Sequence, residues 1–338
     1  MTLLFADGLH DRLWDQGKYD TVSSVTLDTY VDSRHAGEQQ IARWESTTGA
    51  SRLGVNVGSR TVVAAGVAHR PTRFAGDERR ELLQFRTAAG ILVCINRETG
   101  EDTLEVRQGG YDGTLIASAT GFGWSATSLA HLSVQVEVAG ASSRVQVWVD
   151  EVATIDQTVD LGSDPITEVA LSPRSVTDDR REATFEDLWV TDGDVLLDAR
   201  VQSRRADGLG AHNDWTSSDA DANWEQVNVF PPDLNEFVSA FTSGDRDSHT
   251  IADLLADTRP DVYAIQTNLV VSKDGVDTWR AGDAIRVGTT DYDGPLTEIP
   301  GAVNTLLRRV VADNPDTAAS WTKASVDAAE FGYQAVSP

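Results

Sequence analysis

Apolar and polar residues alternate with a period of two through much of this chain, and that pattern constrains the fold more than any other feature. In His131–Ala139 (HLSVQVEVA), Leu132, Val134, Val136 and Val138 fall on one side, and Ser133, Gln135 and Glu137 on the other. In Arg144–Val149, Val145, Val147 and Val149 alternate with Gln146 and Trp148. The short Gly140-Ala-Ser-Ser143 segment between them is turn-like, so the two runs predict a hairpin. Further strands are predicted at Arg60–Val67, Glu81–Thr87, Ile91–Asn96, Thr103–Gln108, Thr114–Ala119, Ile166–Ser172 and Ala183–Val190. Gly- or Asp-bearing turns separate most of them, and many short strands at this spacing indicate an antiparallel sandwich.

Helical signals are few. Asp247–Ala256 (DSHTIADLLA) predicts two turns with Ser248 or Asp247 as N-cap, and Lys323–Ala329 one turn before a final strand, Phe331–Val336. Asn304–Ala312 reads equally as strand or helix. A boundary falls near Asp192–Asp194, where Ala183–Val190 closes the first unit and the composition changes. Strands resume at Val262–Ser272 and Ala284–Thr290, so residues 195–338 form a second, mainly-β domain after a sandwich over 1–194.

Charge then sets the partners. The chain of 338 residues has 53 Asp+Glu against 28 Lys+Arg, a formal net charge of -25, and 40% hydrophobic residues. The apolar content is that of a folded protein, not of an acidic tail. A field this negative repels phosphate backbones and anionic lipid, so no nucleic-acid or membrane partner is expected. The acids are spread along the whole chain and lysine occurs only at Lys18, Lys273 and Lys323, which points to adaptation to concentrated salt. There the Debye length is roughly 3 Å and self-repulsion is small. Met1–Gln16 has no basic start and only a four-residue apolar run, so no signal peptide is predicted, and no stretch approaches a membrane span.

None of the six histidines sits in an H-E-x-x-H motif, and no G-x-S-x-G elbow occurs. His131, at a strand start, reads as a surface or edge residue. Glycoside hydrolysis needs two carboxylates across a groove, which sandwich strands supply as alternating acids; no strand here has that pattern, and the adjacent Glu186 and Asp187 face opposite ways. Glu98, Glu101 and Asp102 fall on a turn. No catalytic residue and no cofactor are therefore expected. Calcium wants several oxygen ligands, and Asp219/Asp221/Asn223, Asp245/Asp247, Asp291/Asp293 and Asp178-Asp179 are the loops that could offer them. None completes an EF-hand, and Asx turns explain them equally well, so a structural divalent cation is not assigned to any residue. Cys94, alternating with apolar neighbours, reads as a buried small hydrophobe. Arg200, Arg204 and Arg205 form the densest basic cluster and read as ion-pairing residues at a domain or subunit boundary; Arg79-Arg80, Arg180-Arg181 and Arg308-Arg309 read the same way.

Glu81–Asn96 (ELLQFRTAAGILVCIN), Thr103–Phe122, His131–Ile155 and the closing ATFEDLWVTDGD resemble a concanavalin A-like (laminin-G-like) jelly-roll domain. Where such domains usually have Asp-Gly after the VWV strand, this chain has Asp150-Glu151, a departure expected to alter the turn but not the strand. Asp198–Asn228, Val229–Leu254, Gly288–Pro295 and Asp313–Val336, with the opening LLFADGLHD, are similar to virion structural proteins of tailed viruses. With the composition, the resemblance implies a haloarchaeal virus and a part on the particle exterior: a capsid turret or spike, or a tail fibre or tip. It implies a non-enzymatic homo-oligomer at the virion surface, contacting other capsid or tail proteins and a host surface layer or glycan. The alternative is a glycan-cleaving or lectin-like surface protein of a halophile. Trp215, Trp224, Trp279 and Trp321 match positions of the resembling module and read as structural anchors; Trp148 and Trp189, offset from their apolar neighbours, read as facing the outer sheet surface and a partner.

Overall fold

A computed structural model describes residues 2–9, 18–23, 26–30, 41–45, 52–70, 79–98, 103–122, 130–172, 183–229, 235–255, 261–301 and 303–337. These divide into two compact units, one holding the N-terminal strand and Tyr19–Val201, the other Lys18 and the residues from Gln202 on. Glu101, Asp102, Asp178, Asp179, Arg180 and Arg181 lie outside the described residues.

Among the described residues, the first unit has fifteen strands. They are β1 (Leu3–Asp7), β2 (Thr21–Ser23), β3 (Thr26–Tyr30), β4 (Ile41–Glu45), β5 (Arg52–Arg60), β6 (Val62–Arg70), β7 (Arg79–Thr87) and β8 (Gly90–Glu98). After these come β9 (Thr103–Gln108), β10 (Thr114–Thr120), β11 (Ala130–Glu137), β12 (Ser143–Val149), β13 (Val152–Val159), β14 (Ile166–Leu171) and β15 (Ala183–Thr191). An eight-stranded sheet runs β13-β12-β11-β6-β15-β4-β3 with β1 added on β15, and a seven-stranded sheet runs β10-β9-β8-β7-β14-β5-β2. All the pairings are antiparallel. The chain passes between the sheets after β1, β2, β4, β5, β6, β10, β13 and β14, the interleaving of a jelly-roll sandwich. The predicted hairpin is β11–β12, in register from Leu132–Val149 to Glu137–Arg144. Val63, Val67, Leu132, Val134, Val145 and Val147 of one sheet and Val55, Leu83, Phe85, Val93, Ile95 and Leu171 of the other are almost fully buried and fill the core.

The outer face of the eight-stranded sheet is also covered around Trp189. Gly66 lies opposite Trp189 in register, and a Cβ on Gly66 would come within 2.4 Å of the indole. Trp189 therefore lies flat on β6, 1% exposed. Its Nε1 donates to His131 Nε2 at 3.3 Å, and the rings stack with centroids 6.2 Å apart. Since Nε2 accepts, the neutral imidazole carries its proton on Nδ1, which lies 3.2 Å from Ser133 Oγ. Ser133 Oγ donates to the Leu196 carbonyl, and Gln135 to that of Gly193, so the segment after β15 lies across this face. His131 is thus not a surface or edge residue: it is 1% exposed, on a strand flanked by β6 and β12. The surface that Trp189 faces is covered by its own chain, while Trp148 is half-buried.

The second unit is also mainly β. It comprises β16 (Ala206–Asn213), β17 (Thr216–Ser217), α1 (Asn223–Gln226), β18 (Val238–Ser239), β19 (Arg246–Ile251), β20 (Asp261–Val262) and β21 (Ile265–Val271). There follow β22 (Arg280–Val287), β23 (Thr290–Asp293), β24 (Thr297–Glu298), β25 (Thr305–Val311), β26 (Asp313–Asn314), β27 (Ala319–Thr322), α2 (Lys323–Asp327) and β28 (Glu330–Val336). A six-stranded sheet runs β16-β19-β28-β22-β23 with β24 on β22. Its core face packs Ile285 and Phe331 against Trp321, Val326 and Val311, and Trp321 Nε1 donates to the Val311 carbonyl. The helical turn predicted at Lys323 forms, capped by Thr322, whose hydroxyl accepts from Ser325 N. The helix predicted over Asp247–Ala256 does not: Arg246–Ile251 is the strand β19 between β16 and β28.

Candidate functional site

The faces of the seven-stranded sheet differ sharply. Leu53, Val55, Leu83, Phe85, Val93, Ile95, Leu104, Val106, Val169 and Leu171 point to the core. Residues directly opposite one another share a face, and the register joins the alternate positions into rows. One row is Gly54, Ala170, Gln84, Cys94 and Arg107. A second is Asn56, Glu168, Arg86 and Ile91, and a third is Glu81, Asn96 and Glu105. The outer face is therefore a hydrogen-bonding surface, with Arg52, Arg86 and Arg107 balanced by Glu81, Glu105 and Glu168.

The charges are paired in place. Glu168 Oε1 lies 3.2 Å from Arg52 Nε and 3.7 Å from Arg86 Nε. Gly54 makes room for it, since a Cβ there would come within 2.4 Å of that oxygen. Burial, with the like charge of Arg52 second, lowers the pKa of the Arg86 guanidinium. Arg107 Nε donates to Glu105 Oε2 at 2.9 Å, and this bond raises the pKa of the guanidinium. Arg107 also donates to the Gly113 carbonyl at 2.7 Å, and Asn96 Nδ2 to the Tyr111 carbonyl at 3.3 Å, so the 109–113 turn is tied down over this part of the face. Beneath it, Cys94 Sγ donates to Asn96 Oδ1 at 2.8 Å; Cys94 is buried, as its alternation predicts.

Glu81 is 0% exposed. Its Oε2 accepts from Gln84 Nε2 at 2.9 Å and Ser172 Oγ at 3.1 Å. Its Oε1 has no hydrogen-bond partner among the described residues, leaving the acceptor capacity of a buried carboxylate unused. The face is more open around Glu168, where the side chains of Arg52, Arg86 and Glu168 are 29%, 19% and 18% exposed. Ile91, opposite Arg86, also lines an open groove of about 340 Å³ between the β7–β8 turn and the β13–β14 loop. Thr87, Gly90, Leu161, Ser163 and Asp164 are also in its wall.

The acidic loops singled out as cation candidates make internal bonds instead. Asp219 Oδ1 accepts from Asp221 N, Ser217 Oγ and Gln226 Nε2, an Asx turn. Asp245 Oδ2 accepts from Thr242 N. Asp291 meets Arg286 and His212, which hold its carboxyl below the usual range against the opposing effect of burial, and Asp293 takes a two-pronged contact from Arg246. Asn223 Nδ2 and Trp215 N both donate to Asp247. No group of three or more His, Cys, Asp or Glu side chains is arranged as a metal site among the described residues. Arg204 donates to Gln202 and to the Ser203 carbonyl, Arg205 to the Asn228 carbonyl, and Arg309 pairs with Asp283 at 3.4 Å. Glu186 and Asp187 are both 0% exposed, at a bulge in β15.

Sequence reasoning did not single out the polar face. Its signal is the outward set of the predicted strands, Gln84 and Arg86, Cys94 and Asn96, Glu105 and Arg107, which only the register of the sheet brings into rows.

No family model matches the chain, and no curated protein matches it. Among solved structures, the cellulose induced protein Cip1 is 13% identical with a TM-score of 0.42, covering 59% of this chain and 99% of its own. The alginate lyase Aly36B is 10% identical with a TM-score of 0.37, covering 50% and 97%. The carbohydrate-binding module CBM66 from Bacillus subtilis is 13% identical with a TM-score of 0.32, covering 50% and 95%. Likenesses this distant say nothing about what this chain binds or does.

Proposed function

We propose that this chain is a non-enzymatic, lectin-like surface protein that binds neutral glycans on the polar face of the seven-stranded sheet. The observation that carries this reading is the arrangement around Glu168, where Arg52 and Arg86 flank a carboxylate on the open part of the face and all three side chains remain partly exposed. Sugar hydroxyls both donate and accept, so they suit a surface whose guanidinium donors and carboxylate acceptors balance. A net-negative molecule with a balanced face selects against anionic sugars. A binding role without cleavage is supported by the strands of the face, none of which presents alternating acids.

Titration with a panel of neutral and uronic-acid oligosaccharides tests the proposal. Binding of a neutral member is expected, weakened about ten- to a hundred-fold in Arg86→Ala or Glu168→Ala, the range for loss of a charge-assisted hydrogen bond. No binding across the panel, or release of shortened oligosaccharide, overturns it. A second reading sets this contact on the exterior of a tailed-virus particle, favoured by the ordered motifs of residues 198–254, 288–295 and 313–336. A reconstruction of the particle that lacks the chain would remove that placement and leave the glycan reading standing.

A further inference from the structure

Six Asp-Gly pairs occur in the chain, at 7–8, 112–113, 192–193, 207–208, 274–275 and 293–294. In such a pair the glycine nitrogen can attack the aspartyl carboxyl carbon, because no Cβ shields it. The attack needs an unengaged carboxyl and an N–H that no acceptor holds. The fold withholds one or both at five of the pairs. Asp7 Oδ1 accepts from Leu9 N and its Oδ2 from the Tyr19 hydroxyl. Gly113 N donates to the Gly110 carbonyl at 2.7 Å. Asp192 Oδ1 accepts from Thr2 N at 2.6 Å. Asp207 lies in β16, its Oδ1 accepting from Thr250 Oγ1 at 2.9 Å. Asp293 is clasped by Arg246, and Gly294 N donates to the Asp283 carbonyl at 2.8 Å.

Asp274-Gly275 differs. The pair lies in the loop between β21 and β22, both residues exposed. Among the described residues the Asp274 carboxylate accepts no hydrogen bond and joins no ion pair, and Gly275 N donates to no acceptor. Gly275 has φ 90°, and a Cβ there would meet nothing within 4 Å. We propose that Asp274 is a site of spontaneous backbone isomerisation to isoaspartate, selected from the six pairs by the fold. Gly275 N bonds to Asp274 Cγ, and the carboxyl hydroxyl leaves as water with the amide proton, closing a five-membered succinimide. A water molecule then adds to one ring carbonyl. Opening at Cγ restores aspartate. Opening at the Asp274 main-chain carbonyl carbon breaks its bond to Gly275 N, and the chain then runs through Cβ and Cγ. One water is lost and one gained, so mass and formal charge are unchanged, while the main chain lengthens by one methylene. This chemistry is independent of the glycan site.

Incubating the folded full chain in warm buffer for weeks, then fragmenting its peptides by electron transfer, tests the proposal, since that method cleaves the Cα–Cβ bond of isoaspartate. Isoaspartate is expected at Asp274 at least about ten-fold faster than at any other Asp-Gly pair. In denaturant, where every pair is released, the six rates are expected to converge. Asp274→Glu is expected to abolish the product at that position, because its longer side chain would have to close a six-membered ring. It keeps the charge of an exposed residue, and a melting curve like that of the parent checks folding. Asp274→Asn is expected to reach the same succinimide sooner, with ammonia leaving in place of water. An Asp274 that isomerises no faster than the engaged pairs of the folded chain overturns the proposal. So does a preference for Asp274 that persists undiminished in denaturant, which would place its cause in the sequence and not in the fold.

Discussion

His249 lies in the interior of the second unit, 3% exposed, with Nε2 3.0 Å from the Tyr333 hydroxyl. That hydroxyl donates to Asp247 Oδ2 at 3.4 Å, so the imidazole carries its proton on Nε2 and donates in turn. Its Nδ1 is buried without a hydrogen-bond partner, and a proton there would add an unmatched buried charge. Burial accordingly lowers the His249 pKa from 6.5 to about 4, the nearby Glu330 opposing it. Between those values the unfolded chain binds more protons than the folded one. Stability from this residue is thus whole above about pH 6.5, falls as pH drops, and is fully lost below about 4, a change of ~3 kcal/mol. Asp247 works the other way, since burial raises its carboxyl pKa and favours proton uptake by the folded chain in acid. Denaturant unfolding of the second unit at pH 7, 5 and 4 is expected to show a steeper acid loss in the parent than in His249→Gln, which keeps a donor for Tyr333. Equal slopes would assign the acid sensitivity elsewhere.

At the scale of the element, the β12–β13 hairpin turns on Asp150 and Glu151, with Val149 opposite Val152. Both turn residues are left-handed, at φ 46° and 70°, as a two-residue primed turn demands. The Asp150-Glu151 pair therefore keeps the tight turn that Asp-Gly would make, and Glu151 bears the strain. Asp150 is fixed independently, its Oδ1 accepting from His131 N at 2.7 Å. Glu151→Gly is expected to raise stability by about 1 kcal/mol, seen as a higher melting temperature of the sandwich; a lower one would mean that the carboxylate makes a contact outweighing the strain. Strands of this kind were readable because one face is apolar and the other polar, as in β11 and β12. Strand β19 was not, because Asp247, Ser248 and His249 are all buried in a central strand, hydrogen-bonded to residues as distant as Asn223, Glu330 and Tyr333. No local pattern carries that. The candidate site was legible only as single outward residues, since cross-strand rows depend on a register set by the whole sheet.

Across the whole molecule the formal charge of -25 sets the conditions for folding. Arginine answers the carboxylates almost everywhere that cross-strand pairing occurs. Arg144 with Asp156, Arg246 with Asp293, and Arg286 with Asp291 each hold one or both oxygens of a carboxylate, and the planar guanidinium keeps that geometry better than lysine. Even one-to-one pairing with the 28 basic residues would leave 25 of the 53 acids unmatched. The remaining repulsion acts between exposed groups, so its range follows the Debye length, about 10 Å at 0.1 M and about 3 Å at 1 M. Salt should therefore stabilise the fold progressively, with the larger part of the gain below about 1 M, where the screening length changes most. We expect the fold to be lost well below molar NaCl or KCl when circular dichroism is followed during stepwise dilution. Replacing several exposed acids on the sandwich, Asp156 excepted because it is paired, by asparagine or glutamine should move that midpoint to lower salt. A chain fully folded in dilute buffer would show instead that its apolar cores outweigh the self-repulsion unaided, and the acidic surface would then need an explanation other than a saline environment.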